Sequence, residues 1–199
     1  MPLKQSLLKR IKQETGCTAY YETGVNTGES FLRALGLGFD RLIGIEINSH
    51  WTYRMRCMLR PLTDIDQVHV ICGDSAIIQP KMVEDILDGR QAVFFLDAHL
   101  DSGLDSALAM PKATCPLEHE MNMISKLSRK DHVILIDDLR ILTDESHGAW
   151  QTDEYDVPSD RFPMEKIEGL VRSVNPDYKM IRVTGDDRFP NDMLFCRIT

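Results

Sequence analysis

Three groups of residues have the types and spacing to do chemistry. The first is the run Glu22-Thr23-Gly24-Val25-Asn26-Thr27-Gly28, a glycine-rich turn directly after an apolar run. Gly24 permits a tight turn and close approach of the backbone to a ligand, and Gly28 lets the start of a helix pack near a strand. A helix N-terminus placed there favours a carboxylate or phosphate beside it. The spacing is not G-x-G-x-x-G, so a plain nicotinamide site is disfavoured.

The second group is acidic and sits at the ends of strand-like runs. Glu46 stands at the end of the compact apolar run RLIGIEI, where a carboxylate can accept both ribose hydroxyls of a nucleoside. A solvated strand-end carboxylate is the plainer reading, and the preceding glycine turn favours the ribose. Gly73-Asp74-Ser75 follows VHVIC. Asp74 could accept from an adenine amino group, or it could cap a helix.

The third group is Asp97-Ala98-His99 with Asp137-Asp138. Two like charges 4 Å apart cost about 4 kcal/mol at an effective dielectric near 20. A cation would relieve that repulsion, and oxygen ligands suit Mg²⁺, Ca²⁺ or Mn²⁺. His99 can take a hydroxyl proton near neutral pH, or it can be a structural histidine bonded to a carboxylate. Adjacent strand residues point to opposite faces, so Asp137 and Asp138 can share a metal only where the strand has ended. Arg140 could instead neutralise one of them and make a metal unnecessary.

Alternating β-like and helical runs position these groups. Residues 18–22, 41–47, 68–72, 92–96 and 133–136 read as strands. Residues 30–35, 49–59 and 80–87 read as helices, with Ser49 placed as an N-cap. A further helix starts from Thr114, with Pro116 in its first turn and Leu117, Met121, Ile124 and Leu127 on one face. This alternation predicts βαβ units and a parallel, doubly wound α/β sheet in the order 3-2-1-4-5. Residues 165–173 read as helix. Residues 178–184 and 192–198 are β-like, and the link between them is too short for a crossover. They therefore form an antiparallel hairpin beside the fifth strand. Residues 1–13 read as an amphipathic helix and lack the apolar h-region of a signal peptide. Residues 143–163 form an acidic loop holding His147, Trp150 and Tyr155, and loops of that length are often functional.

The 199 residues suit one domain spanning 1–199. A net charge of −8 disfavours a nucleic-acid partner, because phosphate contacts need clustered Lys and Arg. No apolar run approaches the roughly 20 residues that span a bilayer. The five cysteines form no C-x-x-C pair, and Cys17, Cys72 and Cys196 lie in or beside strand-like runs as small hydrophobes. The odd count fits a reducing cytoplasm. His119 and His132 read as surface residues.

The run YETGVNTGES, followed by IGIEIN and CGDS, resembles the first three motifs of class I S-adenosylmethionine-dependent methyltransferases. E-x-G-V-x-T-G-x-S is similar in particular to the metal-dependent catechol and caffeoyl-CoA O-methyltransferase group. The likeness runs from Tyr20 to the C-terminus. It implies a Rossmann-like sheet in the order 3-2-1-4-5-7-6 with strand 7 antiparallel. It implies that Glu22 and the Gly24–Gly28 backbone, with Thr27, hold the methionine part of S-adenosylmethionine. Glu46 would hold the ribose, and Asp74 with Ser75 the adenine. Asp97 would lie beside both cofactor and acceptor, and Asp97, Asp137 and Asp138 would hold a divalent cation. The group's base, a lysine three residues after the fourth-strand Asp, falls on Leu100, and Asp138 replaces its usual Asn. His99, with Asp97, becomes the catalytic candidate.

The function these residues point to is methyl transfer to an oxygen or nitrogen of a small-molecule acceptor, with residues 143–163 near the acceptor. A non-catalytic nucleoside-binding or interaction domain of the same fold is the alternative, motivated by Leu100. A metal-dependent hydrolase or sugar-modifying enzyme built on Asp97, His99 and Asp137 is another.

Overall fold

The structure is a computed structural model that describes residues 2–62, 64, 66–98, 115–143, 163–185 and 188–199. Seven strands form one sheet: β1 (Ala19–Thr23), β2 (Arg41–Glu46), β3 (Val68–Cys72), β4 (Ala92–Leu96), β5 (Val133–Ile136), β6 (Lys179–Val183) and β7 (Met193–Arg197). Their order is β3-β2-β1-β4-β5-β7-β6. The first five are parallel, and β7 runs antiparallel to both β5 and β6. The doubly wound sheet with its closing hairpin is the one the sequence predicts.

The two-residue period of a strand sends neighbouring side chains to opposite faces, and here both faces are covered. Tyr20 and Leu42 belong to one core, with Leu7, Leu8 and Ile11 of α1 (Gln5–Thr15) and Phe31 and Ala34 of α2 (Glu29–Gly36). Met55 and Leu59 of α3 (Ser49–Leu59) complete it. Tyr21 and Ile43 face the other core, against α4 (Pro80–Leu87), α5 (Leu117–Ser125) and α7 (Met164–Val174). A four-residue helix, α6 (Leu139–Leu142), follows β5. Every residue of β1, β4 and β5 is buried, which explains the unbroken apolar runs of β4 and β5, whereas β1 ends on the buried polar pair Glu22 and Thr23. The order reverses beside β1, so a crevice opens at the carboxyl ends of β1 and its neighbours.

Three local expectations change. Asn48, not Ser49, caps α3: its side chain accepts from the main-chain N–H of His50 (2.9 Å) and Trp51 (3.4 Å). His132 is buried rather than on the surface. Its Nδ1 faces the Ala92 N–H at 3.1 Å and its carbonyl accepts from the Tyr178 hydroxyl. Burial pushes its pKa down to about 4, so the ring is neutral. Cys17 and Cys196 are buried as small hydrophobes, whereas Cys72 is exposed. His99, Leu100, Thr114, His147, Trp150 and Tyr155 lie outside the described residues, as does nearly all of the acidic loop.

Candidate functional site

The glycine turn leaves β1 and doubles back toward α2. Gly24 adopts φ +72°, and a Cβ there would stand 2.6 Å from the Asp97 carbonyl oxygen. The turn thus presses directly on the end of β4, a contact that only glycine permits. Gly24 and Val25 donate their N–H groups to the Ile45 carbonyl, at 3.0 and 3.4 Å. Gly28, at φ +84°, is the N-cap of α2. Thr27 is exposed, and it lines a groove of about 500 Å³ with Trp51 and Met55 of α3.

Glu46 is buried, not solvated. One carboxylate oxygen accepts the Asn26 N–H and the other the Asn48 N–H, each at 2.7 Å. The two amides belong to the glycine turn and to the cap of α3, so this side chain ties both loops at the carboxyl end of β2. Charge-assisted bonds of this kind are among the stronger ones in proteins. Glu22 is also buried and accepts from the Tyr20 hydroxyl at 3.1 Å. Burial pushes its carboxyl up to about 8, against the lowering effect of the Tyr20 bond. Asp74 caps a short 3-10 turn at Ser75–Ile77, accepting from the Ala76 N–H at 2.9 Å. Ser75 is buried beside it.

The ends of β4 and β5 form a second cluster. Asp97 is partly exposed as a residue, yet its Oδ1 is enclosed. Burial, then the charge of Asp137, holds its carboxyl well above the usual range. Asp137 is pushed up to about 7 by burial and by Asp138 next to it. A cavity of about 10 Å³ lies between them, lined by Asp97, Cys115, Glu120 and Asp137 among others. That is room for about one water-sized group.

Glu120 is the functional candidate that the sequence reading missed. It is 1% exposed, and its Oε1 has no hydrogen-bond partner. Burial pushes its carboxyl up to about 7, opposed by the hydroxyls of Ser75 and Thr23. The signal was available: Glu120 stands three residues after Leu117 and four before Ile124, on the face that those residues bury.

Of the three acids expected to share a cation, the structure brings together two and adds another. Asp137, Asp138 and Asp192 offer oxygens within 4.8 Å of one another, the one such group among the described residues. Asp97 is not in it. Asp138 lies past the end of β5 at φ +56°, where the backbone turns as the sharing of a ligand requires. The Arg140 guanidinium donates to Asp138 Oδ1 at 2.5 Å and also to Asp192 Oδ2. Its main-chain N–H reaches Asp192 Oδ1 at 2.7 Å.

No family model and no curated protein matches this chain at a significant level. Solved structures do match in shape. One is a Staphylococcus aureus protein provisionally assigned as a caffeoyl-CoA O-methyltransferase: 15% identity over 98% of this chain and 82% of that one, TM-score 0.63. An O-methyltransferase from Bacillus cereus, solved with SAH, is 13% identical over 98% and 80% of the two chains, TM-score 0.55. The methyltransferase domain of bacterial CtHen1 is 10% identical over 98% and 96%, TM-score 0.60. The chain therefore has the Rossmann-like fold of the class I methyltransferases, in the form shared by caffeoyl-CoA O-methyltransferase-like proteins.

Proposed function

We propose that this protein is an S-adenosylmethionine-dependent methyltransferase acting on an oxygen or nitrogen of a small molecule. The observation that carries the reading is Glu46, buried at the end of β2 and held by the amides of Asn26 and Asn48. A carboxylate fixed beside a glycine turn, one strand from the point where strand order reverses, suits the hydroxyls of a ribose. In this reading Glu22, Thr27 and the Gly24–Gly28 backbone hold the methionine part, and Asp74 with Ser75 the adenine.

The bound sulfonium would supply an electrophilic methyl group. The chain's part is to align the acceptor in line with that carbon, exclude water and take the acceptor's proton. His99 and Asp97 are the candidates for the proton, and Glu120 joins them because its carboxyl faces the same small cavity as Asp97. The implied divalent cation fits these residues poorly, since Asp138 and Asp192 already bind the Arg140 guanidinium.

Calorimetric titration of the intact protein with S-adenosylhomocysteine, with and without a chelator, tests the reading. Saturable binding that the chelator leaves unchanged is expected. Absence of binding in both conditions would remove the proposal and favour the hydrolase or interaction-domain alternatives.

A further inference from the structure

We propose that the Arg140 guanidinium is a built-in cation, occupying the position among Asp137, Asp138 and Asp192 that a divalent ion would otherwise take. The three carboxyls are all buried and their oxygens lie within 4.8 Å of one another. Oxygens bound to one Ca²⁺ or Mg²⁺ stand about 2.0–2.6 Å from it, so the span suits an ion. The guanidinium is already there. Arg140 stands at the second residue of α6, and one nitrogen bonds both Asp138 and Asp192. The side chains concerned are 17%, 5% and 9% exposed, so water screens them little.

Two further contacts fix the arginine. Its main-chain N–H donates to Asp192, so α6 itself orients toward that carboxylate. The Phe189 ring lies under the guanidinium, 3.8 Å from ring centroid to the central carbon. A guanidinium stays protonated at every working pH, and its tether keeps it at high local concentration. A metal entering the same place would meet both its positive charge and carboxylates already engaged. The consequence for the site is that an acceptor would be held by hydrogen bonds rather than by a metal. That consequence rests on the methyltransferase reading, whereas the cation claim does not.

The test is Mn²⁺ binding, followed by electron paramagnetic resonance, in wild type, Arg140→Ala and Arg140→Gln. Wild type should bind Mn²⁺ no tighter than about 10⁻³ M, and the variants at about 10⁻⁴ M or tighter. Adding Asp192→Asn to Arg140→Ala should abolish the gain. The melting temperature of Arg140→Ala should rise with Mn²⁺ while that of wild type stays fixed, which also covers a variant that needs the ion to fold. Tight Mn²⁺ binding by wild type that Asp138→Asn removes would overturn the proposal. So would variants that bind no better than wild type. A parallel S-adenosylhomocysteine titration separates the two claims: its failure counts against methyl transfer, and the Mn²⁺ data alone decide Arg140.

Discussion

The carboxyl ends of β1 and β2 differ from those of β4 and β5 in how their acids are treated. At β2, the fold supplies a backbone amide to each oxygen of Glu46, and an asparagine cap holds the neighbouring helix. At β4 and β5, Asp97, Glu120 and Asp137 are enclosed around one small cavity, and burial raises all three carboxyls. At the first edge the donors that fix the carboxylate are already in place. The second stores electrostatic strain, because burial and neighbouring acids oppose ionisation there. Glu22 stands between the two, bonded to Tyr20 yet raised by its own burial.

The strongest break in this contrast should come from the residue that joins the two edges. Gly24→Ala places a Cβ 2.6 Å from the Asp97 carbonyl and forces a side chain onto φ +72°. Unfavourable backbone conformations alone cost on the order of 1–3 kcal/mol, and the clash adds to that. A loss of about 3 kcal/mol or more is expected in denaturant unfolding at constant m-value. A loss below about 1 kcal/mol would show that the turn does not press on β4.

Glu120→Gln probes the strained edge, and its sign is opposite. The Glu120 carboxyl rises to about 7 in the folded state, above its ordinary 4.5, so folding favours the protonated form. Stability is then fully retained below pH 4.5 and lost as pH climbs toward 7. By pH 8 the burden is on the order of 3 kcal/mol, which the amide removes. The variant should melt higher than wild type at pH 8, with the difference fading toward pH 4.5. Equal melting at both values would place Glu120 outside the strained set. Asn48→Ala, at the settled edge, should lose about 1 kcal/mol as a lost N-cap does, with little pH dependence.

Which parts of this picture were legible in the sequence follows from the range of the interactions. The sheet order and closing hairpin were readable because apolar runs, glycine turns and link lengths act locally. Glu46 was readable as a strand-end acid beside a glycine turn, but not its two amide donors, which come from separate loops. Asp192 follows a long separation from Asp138 in sequence and reaches it only because β7 pairs with β5. Arg140 was legible as a neutralising charge, although the second carboxylate it holds was not. His132 was misread because a polar residue before a strand looks exposed until β4 and Tyr178 close over it.

The central claim is that the β1–β2 edge holds a nucleoside cofactor through Glu46. Its most direct test is the S-adenosylhomocysteine dissociation constant of Glu46→Ala against wild type, with folding of the variant verified by circular dichroism. A hydrogen bond to a charged group contributes about 1.5–3 kcal/mol, so affinity should fall roughly tenfold to a hundredfold. A folded variant that binds S-adenosylhomocysteine as tightly as wild type would contradict the account.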